Sequence, residues 1–437
     1  MNGEPIFPIL LLFFFCYSSF AIDTLTPSRP LSNGETLISA NGTFALGIFT
    51  PPNTTNRYIG IWYHNIAVQT VVWVANRRNP IPDLNATLSI TADDASLHIT
   101  ISGNSIPLWS SPSFPNSTPN PIAQLLDSGN FVVKSPDSNS VLWQSFDHPT
   151  DTLLPGMKFG PNLKTGIDRN LTSWRSLSDP SPGKYALAID PIGVPQLVIR
   201  ESSGGWIWRG GPWNGFGFSG ADPDHFFDLA LYQEFISSFI STPEEIYYYF
   251  NTVGDAISIV NMHQNGTDRR YEWKASSQQW DLVWLGPSDA CDFFPACGAN
   301  AVCDASRSPI CRCLDGFEPR NPVSWGRGDW SDGCVRGAAL GCGTNGTDEF
   351  MVVRSSKLPD TTEAASDMSL DLDRCRTRCL KNCSCNGYAS ADLSSGGNGC
   401  ITWMAEIKDL RVYANGGQDL YVRVGPRDKG TDTTRSF

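Results

Sequence analysis

The sequence predicts a mainly β protein whose C-terminal third is stapled by disulfides. Three observations carry that expectation. From Ile22 onward, short apolar stretches alternate with Gly, Asn, Asp, Ser and Pro, the pattern of many short strands joined by turns. A loose unit of polar turn, alternating strand and Trp-bearing strand recurs three times before residue 152. Twelve of the thirteen cysteines lie between Cys291 and Cys400.

Residues Ile9 to Tyr17 form a short apolar run followed by Ser19-Phe20-Ala21, a small-x-small cleavage site. Residues 1–21 therefore read as a secretory signal, although Lys and Arg are missing from its first residues. Its removal takes Cys16 away and leaves an even number of cysteines. Eight Asn-x-Ser/Thr sequons follow, at Asn41, Asn53, Asn85, Asn116, Asn170, Asn265, Asn345 and Asn382, as expected of a glycosylated extracellular surface. No later apolar run reaches the roughly 18 residues of a membrane span, so a secreted chain located outside the cell is expected. The formal charge of −12 argues against nucleic acid or an anionic membrane as partner.

Between residues 22 and 152, Asn41-Gly-Thr-Phe-Ala-Leu leads to Ile61-Trp62-Tyr63, Asp94-Ala-Ser-Leu-His-Ile to Leu108-Trp109-Ser110, and Asp127-Ser-Gly-Asn-Phe-Val to Leu142-Trp143-Gln144. Three such units can close into a three-sided prism, with one Trp from each side filling the axis. From 153 to 287 the chain stays strand-rich, as in Lys184 to Ile189, Gln196 to Arg200 and Glu245 to Phe250. Within it Gly215-Phe-Gly-Phe-Ser-Gly220 matches Gly-x-Gly-x-x-Gly, but no strand–helix unit surrounds it and Pro223 soon follows, so an aromatic turn is expected there.

Cysteines 291, 297, 303, 311, 313 and 334 form one even set, and 342, 375, 379, 383, 385 and 400 another. Each set of six permits fifteen pairings by spacing alone. Zinc is disfavoured because an oxidising compartment removes the thiolates it needs. Ser369 to Cys383 reads as a helix whose Cys375, Cys379 and Cys383 recur every four residues and share nearly one face. Asp371 and Asp373 fall in its first turn, where acids favour the helix dipole.

Nothing in the sequence points to catalysis. None of the five histidines, His64, His98, His148, His225 and His263, sits in a catalytic motif; Asp147 and His148, as strand neighbours, would face opposite ways. The nucleophile elbow and the protein-kinase signatures are missing. No cofactor and no metal are expected.

The stretches LLDSGNFVVK and LWQSFDHPTDTLLPGMKFG, with Trp206-Ile-Trp208-Arg-Gly-Gly-Pro-Trp213, resemble S-locus glycoproteins and the ectodomains of S-domain (G-type lectin) receptor-like serine/threonine kinases of plants. The resemblance runs over essentially the whole mature chain. It implies tandem bulb-lectin-type β-prism domains, with the lectin domain at 22–152 and an S-locus glycoprotein domain at 153–287. An EGF-like module at 288–335, a PAN/apple module at 342–424 and a polar tail at 425–437 follow.

Mannose-binding relatives use a Gln-x-Asp-x-Asn-x-Val-x-Tyr strand, and the nearest residues here are Gln124, Asp127, Asn130 and Val132. One residue is inserted on each side of Asp127 and Lys134 stands for the Tyr, so a one-residue slip turns side chains to the other face. For the EGF-like module the resemblance implies Cys291–Cys303, Cys297–Cys311 and Cys313–Cys334, without a calcium-binding box. For the PAN/apple module it implies Cys375–Cys400 and Cys379–Cys385, leaving Cys342–Cys383. As function it implies binding of a small secreted cysteine-rich protein or another extracellular ligand, as in pollen recognition, with receptor-like kinases or a second copy as further partners. The alternatives are a soluble mannose or glycan binder and a truncated receptor kinase. The stretch Asp222 to Tyr232 is a candidate ligand contact.

Overall fold

The computed structural model describes residues 22–82, 85–115, 120–220, 235–341, 348–394 and 396–425. The signal segment, Asn116, the Asp222 to Tyr232 stretch, Cys342, Asn345 and the tail from residue 426 lie outside the described residues.

Twelve short strands build the first prism: β1 (Thr24–Leu25), β2 (Leu31–Ser32), β3 (Thr36–Ile38), β4 (Phe44–Phe49), β5 (Tyr58–Tyr63), β6 (Val71–Val74), β7 (Ala86–Ile90), β8 (Leu97–Ile101), β9 (Trp109–Ser110), β10 (Ile122–Leu125), β11 (Phe131–Lys134) and β12 (Val141–Gln144). They form three four-stranded sheets in the orders β3-β4-β5-β6, β2-β7-β8-β9 and β1-β10-β11-β12. The N-terminal segment thus lends one strand to each side and straps the prism together. Alternation does the sorting: in β7 Ala86, Leu88 and Ile90 are buried while Thr87 and Ser89 are less so, as a two-residue period requires. At the turn before β11, Gly129 has φ +82°, and a Cβ there would meet Leu154 Cδ1 at 2.7 Å and the Phe44 ring at 3.0 Å.

The last strand of each side carries the axial tryptophan. Trp73, Trp109 and Trp143 pair with Ile61, Ile99 and Val133 of the preceding strand. Their rings meet edge to face at 6.4, 6.1 and 6.3 Å, the geometry the ring quadrupoles favour. This corrects the expected trio at one member. Trp62 lies in β5 beside Ile61 and so on the other face of the sheet, against Phe49 and Tyr58. The first unit's axial residue is Trp73, one strand later.

The second prism uses β13 (Thr152–Leu153), β14 (Gly160–Pro161), β15 (Asp168–Arg169), β16 (Leu171–Ser176), β17 (Asp179–Asp190), β18 (Gln196–Glu201), β19 (Trp206–Pro212), β20 (Phe235–Ser241), β21 (Ile246–Thr252), β22 (Ser258–Met262), β23 (Asp268–Lys274) and β24 (Gln279–Gly286). Two sides are four-stranded, β16-β17-β18-β19 and β13-β22-β23-β24; the third is the β20-β21 hairpin, reached by the β14-β15 ribbon through the bridge Phe159↔Tyr248. Trp208 and Trp284, 6.1 Å apart, occupy the axis, over a core that includes Leu171, Leu187, Phe159 and Phe250.

The C-terminal third holds β25 (Ala301–Asp304), β26 (Cys311–Cys313), β27 (Phe317–Pro319), β28 (Cys334–Arg336), β29 (Glu349–Lys357), β30 (Ala364–Asp371), β31 (Gly387–Asp392), β32 (Asn398–Trp403), β33 (Leu410–Val412) and β34 (Gln418–Val424), with helices α1 (Pro322–Gly326) and α2 (Leu372–Lys381). One eight-stranded sheet runs β26-β25-β33-β29-β34-β31-β32-β30. Strand β25 pairs parallel with β33, Val302 opposite Leu410, so both cysteine sets share this sheet.

Helix α2 is shorter than expected. Ser369 and Leu370 belong to edge strand β30, and Asp371 is the N-cap, its Oδ1 accepting from Arg374 N at 2.8 Å. Cys375 and Cys379 are buried under the helix, whereas Cys383 lies beyond its end and is exposed. At that end Arg423, itself buried, donates to the carbonyls of Cys379, Asn382 and Leu380 at 3.1, 2.8 and 3.2 Å. A guanidinium there satisfies the orphan carbonyls and opposes the negative end of the dipole.

Candidate functional site

The four residues of the sugar-strand comparison sit around β10 and β11 and are engaged within the protein. Gln124 stands opposite Val132. Its Nε2 donates to Asp23 Oδ2 at 2.8 Å, and its Oε1 accepts from Lys134 Nζ at 3.1 Å. Val132 is 1% exposed and presents no face to a sugar ring. Asp127 Oδ1 accepts from the backbone N–H of Asn41 at 2.8 Å. Asn130 donates to Gln144 Oε1 at 2.9 Å and accepts from Ser145 Oγ and Phe146 N, both at 3.2 Å. The fold therefore brings Gln124 and Val132 together but turns Asn130 inward and leaves Asp127 in a separate turn.

Asn130 instead begins a polar chain that crosses to the second prism. Gln144 Nε2 donates to Asp147 Oδ2 at 2.9 Å, and Arg169 Nε donates to Asp147 Oδ1 at 2.7 Å. Arg169 is buried, and beyond it Glu245 pairs with Lys158 Nζ at 2.5 Å. Asp147 lies in a one-turn 3₁₀ segment, Ser145–Asp147, and not in a strand, and the His148 ring stacks on Trp143 at 5.6 Å. Arg77 adds a second crossing, donating to the carbonyls of Pro180, Thr172 and Ser173 at 2.6, 2.9 and 3.0 Å.

The outer face of the β20-β21 hairpin carries exposed apolar side chains. Its register puts Ile236 opposite Asn251, Ser238 opposite Tyr249 and Ile240 opposite Tyr247. Ile236 is 56% exposed and Ile240 38%, while Phe235, Phe239 and Phe250 belong to the core side. Lys158 Nζ lies 4.2 Å from the Tyr247 ring centroid, a cation–π contact. The sequence alone did not single out this hairpin face; its signal was the run Ile246-Tyr-Tyr-Tyr-Phe250, in which every second aromatic must point outward. The Asp222 to Tyr232 stretch precedes β20 and lies outside the described residues.

Among the described residues five disulfides tie the C-terminal third: Cys291–Cys303, Cys297–Cys311, Cys313–Cys334, Cys375–Cys400 and Cys379–Cys385. Cys342 of the sixth expected pair lies outside the described residues. The sulfurs of Cys297, Cys303 and Cys311 fall within 4.8 Å of one another, but each is bonded in a disulfide, so they offer no thiolate to a metal. Of the sequons, Asn41, Asn53, Asn85, Asn265 and Asn382 are exposed and Asn170 is half-buried.

A buried ionic cluster joins the second prism to the eight-stranded sheet. Arg209 Nε donates to Asp409 Oδ2 and its Nη1 to Gln196 Oε1, both at 2.9 Å, and Lys357 Nζ lies 2.8 Å from the same Asp409 oxygen. All three ions are buried, and burial holds the Lys357 ammonium below the usual lysine range. Close backbone approach completes the joint: a Cβ on Gly193 would lie 2.1 Å from Thr361 O. The Gly215 to Gly220 turn belongs to this joint too, with Gly215 against Asp392 and Gly220 against the Lys357 stem, so it packs against protein where a nucleotide loop would need open space.

Comparison with known proteins follows the same layout. The D-mannose binding lectin model matches residues 70–175, the S-locus glycoprotein domain 208–321 and the PAN-like domain 342–410. The S-locus-specific glycoprotein BS29-2 of Brassica oleracea var. alboglabra is 38% identical over 431 residues, which is 97% of this chain and 96% of that protein. The S-locus-specific glycoprotein S6 of Brassica oleracea is also 38% identical, over 96% of each chain. The receptor-like serine/threonine-protein kinase SD1-8 of Arabidopsis thaliana is 40% identical over 98% of this chain, which spans about half (50%) of the kinase. No described helix is long and apolar enough to cross a membrane. With near-complete coverage in both directions at this identity, the chain belongs to the S-locus glycoprotein family.

Proposed function

We propose that this chain is an extracellular recognition glycoprotein that binds a secreted protein or peptide and does not transform it. The observation that carries this reading is the end-to-end similarity to S-locus-specific glycoproteins. The outer face of β20-β21 is the contact surface: it combines exposed Ile236 and Ile240 with Tyr247 and Tyr249, a mixture of apolar and aromatic groups typical of protein interfaces. Its ligand is a small cysteine-rich protein of the kind used in pollen recognition or related signalling, and a receptor kinase or second copy joins the complex. Mannose binding through Gln124, Asp127, Asn130 and Val132 is not favoured, since those groups are bonded inside the fold.

Affinity capture on the secreted, glycosylated chain followed by mass spectrometry of bound peptides tests the reading. Capture of a defined cysteine-rich peptide, lost in an Ile236→Lys/Ile240→Lys variant of unchanged melting temperature, supports it. Binding of neutral mannan by the same preparation, with no peptide retained, overturns it.

A further inference from the structure

Two open clefts, each of about 330 Å³, lie side by side where the first prism meets the second. They share Arg77, Arg78 and Pro182 as a common wall. The first cleft is floored by the axial tryptophans Trp73, Trp109 and Trp143 and flanked by Pro112 and Pro149. Trp143 is 5% exposed, and its indole N–H meets no acceptor within the described residues. The second cleft is polar and carries three guanidinium groups, those of Arg77, Arg78 and Arg175.

In a chain of formal charge −12, three arginines around one groove are a local reversal of sign. One acid, Asp179, lines the same cleft, and the buried Asp151 acts on Arg77. Arg77 spends its donors on backbone carbonyls and is pushed down to about 10 by burial, with Asp151 and Asp179 opposing the shift and the adjacent Arg78 adding to it. Arg175 is exposed and pairs with the half-buried Asp179 at 3.3 Å, a contact that solvent partly screens. Arg78 is exposed, with neither hydrogen bond nor ion pair among the described residues. The end of the prism axis thus opens beside the exposed side chains of Arg78 and Arg175.

We infer that this double groove binds an acidic oligosaccharide, a pyranose chain bearing carboxylates, with a sugar ring against Trp109 and the carboxylates on Arg78 and Arg175. The apolar face of a pyranose suits the aromatic and proline walls, and a planar guanidinium pairs with carboxylate through two parallel hydrogen bonds. The exposed Ser110 hydroxyl supplies a donor for a ring hydroxyl. The groove is separate from the β10-β11 strands and from the β20-β21 face, so it stands whether or not a peptide ligand is found.

The test is calorimetric titration of the intact, glycosylated chain with a polygalacturonate oligomer of defined length. The same oligomer in methyl-esterified form and heparin serve as controls. The expected result is saturable binding of the free-acid oligomer and loss of binding to the ester, which keeps the rings and removes the charge. Arg78→Gln/Arg175→Gln should weaken binding about tenfold or more, at an unchanged melting temperature because both side chains are exposed. Trp109→Phe should weaken it as well, by removing ring area. Three outcomes overturn the inference: no saturable binding by the wild-type chain, equal affinity of the arginine variant, or heparin binding as tight as uronate and indifferent to Trp109→Phe, which marks a general polyanion effect.

Discussion

The first prism and the C-terminal third solve the same problem of stability by opposite means. The prism contains no cysteine after the signal segment; it closes twelve strands on a core of aliphatic residues and three tryptophans. The C-terminal third wraps one broad sheet whose smaller cysteine-rich part has a core made largely of cystine, Cys291, Cys297, Cys303, Cys311 and Cys334. A three-sided enclosure buries side chains from every sheet, whereas a short loop-rich segment cannot, and crosslinks replace the missing core. The buried Arg209–Asp409–Lys357 cluster then couples the second prism to this sheet.

That contrast can be broken first at the joint. Arg209→Met removes one of the two cations on Asp409 and takes a donor from the buried Gln196 Oε1 and Leu358 carbonyl, and is expected to cost about 3–5 kcal/mol, measured by urea unfolding. The loss should appear in both the second prism and the sheet, since the residue serves both. Trp143→Ala attacks the first prism alone; removing a buried Trp costs about 3–5 kcal/mol, at the low end here because the axis already opens on a cleft. Hydrogen exchange should then rise in β1 to β12 with the disulfide-bearing residues unaffected. Cys297→Ala/Cys311→Ala opens a loop with a sequence separation of 14 and should cost about 2–4 kcal/mol, confined to residues 288–335. Exchange spreading into the first prism would show that the two strategies are not independent.

A pH-dependent effect concerns Asp268, buried at the start of β23, whose carboxyl burial pushes up from 3.8 to about 8. Its folded pKa exceeds the unfolded one, so the native chain keeps a proton that the unfolded chain has released. Stability therefore falls as pH rises from about 4 towards 8, by at most about 1.4 kcal/mol per pH unit, and levels off above. Asp268→Asn should remove that slope, and its advantage over the wild type should grow between pH 5 and pH 8 in denaturant titrations.

Much of this architecture was legible beforehand. The threefold turn–strand–Trp unit predicts a prism, and Trp109 and Trp143 fill the axis as that pattern implies. Trp62 does not, because strand parity places it behind Ile61, and only the pairing Ile61↔Trp73 reveals the true third member. The helix around Cys375 is legible from its four-residue period, but its start is not: the edge pairing of Asp371 with Asn398 in β30 and β32 claims the preceding residues for the sheet. The polar pattern near Asp127 suggested a sugar strand, while the fate of its groups depended on Gln144 and Asp147, which no local window includes.

Sequence alone determined what is local or compositional: strand periodicity, turn residues, secretion-type features and the clustering of cysteines, because each is written within a few neighbouring positions. Tertiary structure decided what depends on partners far along the chain. It turned Asn130 inward, set Arg209 against Asp409 across 200 residues, merged two cysteine-rich segments into one sheet through Val302 and Leu410, and brought Arg78 and Arg175 to one groove beside Trp109. Burial and pairing of charge are properties of the assembled surface, and a linear pattern carries no record of which surfaces will meet.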